Sequence, residues 1–287
     1  MRPSALAAKG PNRWIARQLA DPYVRGRQTA SFAFRSRAAF KLLELDAQHR
    51  FLKRARVVID LGAAPGGWSQ VAASKLGWFR KPTDVVAAEA DLRREADEVT
   101  GRRTGWSDEL ESDALQPDIA RGKGTIVAVD LLHMPPIPGV HFVQGDFLDS
   151  AVQEMVRLLI PAGPSGQRLA DVVLSDMGAN MTGNRTTDSQ GSLDLCTAAF
   201  TFAHEHLRRH HPFHRHSGGT FVLKHFAHPL LNEFRRDVLE RNFKSVHYVK
   251  PEASRQASAE GYFVCQQLLG DATQPVESPA HKWPGSL

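Results

Sequence analysis

At 287 residues, 42% of them hydrophobic, the chain is long enough to bury one large core and suits a single large domain better than two small ones. A net charge of +5 favours polyanions such as nucleic acid, but the excess is too small to identify a partner. Two cysteines, Cys196 and Cys265, far apart and in no CxxC pattern, argue against a disulfide framework and a zinc site; no apolar run approaches the roughly 20 residues of a membrane-spanning helix.

Residues 1–37 carry eight Lys/Arg against one acid, Asp21. The stretch reads either as the start of an Arg-rich organellar presequence or as a basic arm that holds phosphates. From 38 onward strands and helices alternate. Strands are predicted at 57–61 (VVIDL), 125–130 (TIVAVD), 140–144, 171–175 (DVVLS), 219–224 (GTFVLK), 245–249 and 261–268 (GYFVCQQL). Helices are predicted at 67–75, 193–208 and 231–242. Seven short β-rich runs separated by helical patterns predict an α/β domain, a mostly parallel sheet with helices on both faces. It extends over 38–270, followed by a Pro- and Ser-bearing tail at 271–287 expected to be disordered. The segment 80–123 interrupts the rhythm with eleven acids and eight bases, and reads as a surface insert.

The loop after the first strand, DLGAAPGGWSQ, stands where open parallel sheets bind ligands, outside the strands' carboxyl ends. Gly62, Gly66 and Gly67 remove side chains so that backbone can approach a ligand, and Pro65 stiffens the turn. The pattern is neither GxGxxG nor a phosphate loop. Asp60 ends the strand; Asp130 ends the second, where a carboxylate suits ribose hydroxyls; Asp146, beside Phe147, follows the third and suits an adenine. Three strand-end acids with a glycine loop fit a nucleoside ligand without phosphate, such as S-adenosylmethionine.

Five segments in order, DLGAAPGGWSQ, VDLLHMPPIPGVHFVQGDF, VLSDMGANMTG, GTFVLK and KPEASRQASAEGYFV, resemble the FtsJ family of ribose 2′-O-methyltransferases. Upstream, NRWIARQLADPYV and SRAAFKLLELD are similar to its N-terminal arm. The resemblance implies a Rossmann-like, S-adenosylmethionine-dependent methyltransferase fold that needs no metal. It implies a catalytic tetrad of Lys41, Asp176, Lys224 and Glu260. It places the cofactor on Asp60, Gly62, Pro65, Gly66, Gly67 and Trp68, with Asp130 at the ribose, Asp146 and Phe147 near the adenine, and Asp176 closing the site. One departure stands out: the family's DMAPN is Asp176-Met177-Gly178-Ala179-Asn180 here, without its proline.

A ribose 2′-hydroxyl must lose its proton as it attacks the sulfonium methyl, so positioning and proton guidance carry the rate. On the resemblance, Lys224 either removes that proton or orients the hydroxyl as a cation, Asp176 holds Lys224, and Lys41 and Glu260 complete the network. Arg13, Arg17, Arg25, Arg27, Arg35 and Arg37 would then grip RNA phosphates. The implied target is a uridine in the A-loop of large-subunit ribosomal RNA, met as RNA or as a pre-ribosomal large subunit by a monomeric enzyme that needs no membrane. A tRNA 2′-O-methyltransferase, and an assembly factor acting mainly by binding rRNA, are the alternatives. The insert and the basic, acid-free residues 1–11 point to a mitochondrial member, with a cytoplasmic one as the alternative. HEHLRRHHPFHRH holds six of the thirteen histidines (204, 206, 210, 211, 214 and 216) and reads as a solvated loop ahead of a metal site.

Overall fold

The computed structural model describes residues 34–78, 122–179, 185–211, 213, 217–255 and 258–270. The expectations for residues 1–33, for 80–121 of the insert and for the tail at 271–287 lie outside the described residues. In chain order come α1 (Ala38–His49), β1 (Val57–Leu61), α2 (Gly67–Lys75), β2 (Thr125–Asp130), β3 (Val140–Gln144), α3 (Ser150–Leu159), β4 (Val172–Ser175), α4 (Arg185–His206) and β5 (Thr220–Phe226). Next is α5 (Pro229–Phe234), which runs through a π-helical turn, Arg235–Leu239, and a last turn, Glu240–Asn242, into β6 (Phe243–Val249). The last strand is β7 (Glu260–Leu268).

The seven strands lie in the order β3-β2-β1-β4-β5-β7-β6. The first five are parallel; β7 runs antiparallel between β5 and β6. The strand order reverses between β1 and β4, so a crevice opens at the carboxyl ends there. Period-two alternation sends β-branched and aromatic residues to both faces. Val58, Val222, Tyr262 and Val264 pack against Leu42, Leu45, Trp68 and Val71 of α1 and α2. On the other face, Ile59, Leu223, Phe263 and Cys265 pack against Ala199, Phe200 and Ala203 of α4. All five residues of β1 are buried, as a central parallel strand covered on both faces requires.

All seven predicted strands form, with ends shifted by two residues at most. The helices were harder to read. The predicted helix at 193–208 runs from Arg185 to His206; its first two turns (RTTDSQG) carry no apolar period that would announce them. The sequence reading did not single out α1 or α3. The start of α3 was signalled by Asp149, whose carboxylate accepts from the Ala151 amide at 2.8 Å. Its apolar side chains are split between core and solvent: Val156 is buried while Met155 and Leu158 are half exposed.

Near the end of α1, the buried Asp46 accepts from the Leu52 amide at 2.9 Å and pairs with Lys75 of α2 at 2.8 Å. Lys75 is partly exposed, so the amide, not the ion pair, sets most of the value of this contact. Asp46→Ala leaves a buried N–H without a partner and is expected to cost about 1–3 kcal/mol in urea unfolding. Asp46→Asn, which keeps an acceptor, is expected to recover most of that loss.

Candidate active site

The carboxyl ends of β1, β2 and β3, with the loop after β4, enclose a cleft of about 260 Å³. Of the predicted cofactor residues, Gly62, Asp130, Asp146, Phe147 and Asp176 line it. Gly62 has φ +76°, and a Cβ there would stand 2.7 Å from the Met177 side chain, so only glycine lets the loop pass beneath Met177. Asp130 accepts from the Ala64 and Leu132 amides, each at 2.8 Å, and so pins the loops that follow β1 and β2. Asp146 accepts from the Leu148 amide at 2.9 Å. The ring of Phe147 does not stand free for stacking. It is 5% exposed and packs edge-on against Phe202 at 5.4 Å, because the core behind the cleft needs an aromatic there. The exposed apolar surface on the cleft is Leu131 and Leu148.

Pro65, Gly66, Gly67 and Trp68 do not line this cleft, and the room that the two glycines leave is filled by the chain itself. A Cβ on Gly66 would meet Ile137 at 2.8 Å and Arg35 Nη1 at 2.9 Å; one on Gly67 would collide with Ser36 Oγ. Arg35 lies across the loop, donating to the carbonyls of Pro65 (3.2 Å), Pro135 (2.7 Å) and Pro136 (2.8 Å). Arg37 donates to the Ala253 carbonyl. These two guanidiniums, expected on RNA phosphates, therefore serve as internal clamps; Arg13, Arg17, Arg25 and Arg27 lie outside the described residues. Trp68 is a buried post: its indole N–H donates to the Ala38 carbonyl at 2.8 Å and its ring lies 5.7 Å from that of Tyr262.

Asp60 lies fully buried below the loop. Its Oδ2 accepts from Ser69 Oγ at 2.6 Å, while Oδ1 has no hydrogen-bond partner among the described residues. Burial first, then repulsion from Asp176 and Asp130, pushes its pKa up to about 7 against the stabilising Ser69 hydroxyl. A buried oxygen without a donor, in a cluster of three carboxylates, suits a ligand that brings a cation, and the amino group of S-adenosylmethionine meets that need.

The four predicted catalytic residues come together as two ion pairs. Lys41 of α1 meets Glu260 at 2.6 Å, and Lys224 meets Asp176 Oδ1 at 3.1 Å and also donates to the Asp176 carbonyl. The phenol of Tyr262 joins them, donating to Asp176 Oδ1 at 2.9 Å and accepting from Lys41 at 3.3 Å. Burial raises the Tyr262 pKa well above 10, with the Asp176 and Glu260 charges adding to it, so the phenol keeps its proton. Burial would raise the Glu260 pKa too, but the Lys41 charge and hydrogen bonds from Lys41 and Ser254 (2.8 Å) outweigh it and hold the carboxyl below 4.5. The sequence reading missed Tyr262. The signal was present, since residues 260 and 262 of a strand share a face.

The histidine-rich stretch begins in the last turn of α4. His206 is buried against Phe202 at 4.4 Å, and His210 Nδ1 lies 3.0 Å from the Ser217 carbonyl. His214 and His216 lie outside the described residues. Among the described residues, no group of three His, Cys, Asp or Glu side chains is placed to hold a metal.

A doubly wound sheet of this order, with a glycine-bearing loop and three strand-end acids around a crevice, defines a Rossmann-like methyltransferase. The FtsJ-like methyltransferase family model matches residues 34–268, and the chain belongs to that family. It is 38% identical over 271 residues to ribosomal RNA large subunit methyltransferase E of Rhodopseudomonas palustris, covering 93% of this chain and 88% of that one. It is 39% identical over 257 residues to the protein of that name in Afipia carboxidovorans, covering 90% and 88%. The crystal structure of a ribosomal RNA methyltransferase from Plasmodium falciparum superposes with a TM-score of 0.56 at 25% identity, covering 83% of this chain and 100% of that one. S-adenosylmethionine is accordingly the methyl donor.

The folded pKa of Asp60 lies above its ordinary 3.8, which fixes a sign. Below about 3.8 both folded and unfolded chains hold the proton. Between about 3.8 and 7 only the unfolded chain loses it, so this group's contribution to stability falls as pH rises; above about 7 the cost is constant. Asp60→Asn is expected to gain stability over the parent across that window, on the order of 4 kcal/mol at most. Cofactor binding should also release a proton from Asp60 near pH 6, read by calorimetry in buffers of different ionisation heat, and the release should vanish in Asp60→Asn. Equal proton release by parent and variant would remove the cation role from Asp60.

Proposed function

We propose that the protein transfers the methyl group of S-adenosylmethionine to a ribose 2′-hydroxyl of large-subunit ribosomal RNA, at a uridine of the A-loop. The observation that carries this reading is the double position of Asp176, which lines the cofactor cleft and also holds Lys224 and Tyr262. When bound, the cofactor supplies a methyl already activated by its positive sulfur. The chain's own residues do the rest. Asp176 offers two acceptors, its carbonyl and Oδ1, to Lys224 Nζ, which leaves one of three donor directions for an incoming hydroxyl oxygen. In this role Lys224 orients the hydroxyl and stabilises charge developing on its oxygen. A Cβ on residue 178 would stand 3.3 Å from Lys224 Nζ, so Gly178 leaves the ammonium slightly more room than the alanine of the family pattern would. Lys41, paired with Glu260 and touching the Tyr262 phenol, keeps the second half of the network neutral in sum.

The relatives' names support large-subunit rRNA as the substrate class. For location, the basic, acid-free residues 1–11 carry the mitochondrial proposal, and the bacterial relatives favour the cytoplasmic alternative. Import and trimming of the full chain by isolated mitochondria decides between them; failure to import removes the first.

Purified protein with methyl-labelled cofactor is expected to label undermethylated large subunits, on the ribose of one uridine, and to leave tRNA unlabelled. Lys224→Ala should lose at least about a hundredfold in rate, the scale of a lost preorganised donor. Label on tRNA would overturn the substrate. Tyr262→Phe removes hydrogen bonds to charged groups worth roughly 1.5–3 kcal/mol each, and should slow transfer about tenfold to a hundredfold with cofactor affinity nearly unchanged.

A further inference from the structure

Opposite the active-site edge, the amino ends of β1, β4 and β5 and the carboxyl end of β7 border a second, larger cavity of about 540 Å³. It is separated from Lys224 by most of the length of β5, about 13 Å at 3.3 Å per residue from Thr220. Three cations line it: Arg50, Lys53 and Arg54, all exposed, on the turn that follows α1. Among the described residues their side chains form no hydrogen bond or ion pair. The carboxylate in the lining, Asp171, is already spent. Its Oδ2 accepts from the Arg56 and Val57 amides at 2.7 and 2.9 Å, and its Oδ1 from Arg208 at 2.6 Å. The rest of the wall adds hydroxyls, those of Thr220 and Ser245. A polar concavity with three unpaired cations and a neutralised acid has the chemistry of a phosphodiester site.

We infer that this rear cavity binds phosphates of a second segment of the same RNA whose ribose reaches Lys224, so that the enzyme is held between two RNA elements. The inference rests on the rRNA reading above. A short stem-loop at the active site is too small to wrap a strand length around the domain, whereas folded large-subunit RNA presents helices on both sides. The rear site therefore contributes to binding of the large substrate and not to the chemistry.

The test compares the full-length protein with Arg50→Asn/Lys53→Ala/Arg54→Ala. Asparagine suits the left-handed backbone of residue 50, at φ 54°. Lys53→Glu/Arg54→Glu, which leaves that backbone untouched, guards against a folding defect. Binding is measured against salt with protein-free large-subunit rRNA, and methylation with a short A-loop hairpin and with undermethylated large subunits. Each lost phosphate contact lowers the slope of log affinity on log salt by about 0.7–0.9, so the triple variant should lose roughly two to three units of slope and on the order of tenfold in affinity. Its KM on large subunits should rise similarly, with kcat and the hairpin reaction unchanged. Parent-like slope and affinity on protein-free rRNA would overturn the inference. So would a loss confined to assembled subunits, which would point to an acidic protein surface instead. If the parent fails to methylate large subunits while the variants still lose salt slope, the substrate assignment falls and the rear phosphate site stands.

Discussion

The register of β7 against β5 is the constraint on which the active site depends. Lys224 lies opposite Tyr262, and Phe226 opposite Glu260. Because β7 is antiparallel to β5, its amino end comes to the same edge as the carboxyl ends of the parallel strands. That single reversal delivers Glu260 and Tyr262 to an edge that already holds Asp176 and Lys224. A slip by one residue would turn Tyr262 to the opposite face and bring Phe263 and Cys265 to the side of Lys41, and would leave both ion pairs without their common phenol. The register is held by burial on both faces, since Val222, Leu223, Phe263 and Val264 are each at most 1% exposed.

Electrostatics at this edge divides into two regimes. On the tetrad side, two cations face two carboxylates across a neutral phenol, so each charge has a partner at hydrogen-bond distance. On the cleft side, Asp60, Asp130 and Asp176 form a carboxylate cluster in which Asp60 has no cation of its own among the described residues. Asp60 meets the missing charge by holding its proton up to about pH 7. The protein thus keeps one half of the site balanced and leaves the other short of a positive charge. That imbalance suits a sulfonium cofactor that also carries an ammonium.

Much of this was legible in the sequence because it follows period and punctuation. Seven β-rich runs became seven strands, since each alternates or is wholly apolar and is bounded by glycine or polar residues. The tetrad was legible through the family resemblance: Asp176, Lys224 and Glu260 stand at the ends of those runs, and Lys41 stands in SRAAFK, inside α1. The helices that escaped notice did so for different reasons. The start of α4, RTTDSQG, carries no apolar residue, whereas α3 does carry a helical period, Val152, Met155, Val156 and Leu159, but in a run of only ten residues. Tyr262 was hidden by its chemistry: inside GYFVC an aromatic reads as core, and at 0% exposed it is core, yet its hydroxyl bridges the two ion pairs.

The bare loop GAAPGGW has two causes. Gly62 is bare toward the cleft and Met177, as a ligand-binding loop requires. Gly66 and Gly67 are bare toward Arg35 and Ser36, which the chain lays over them from the far side. Arg35 then ties Pro65 to Pro135 and Pro136, so the loop after β1 and the loop after β2 are fastened through one guanidinium. Those loops carry two walls of the cleft, through Gly62 and Ala64 on one side and Leu131 on the other. The glycines that look in sequence like room for a ligand are also the seat of a clamp, because only a residue without a Cβ lets Arg35 and Ser36 lie this close to the loop.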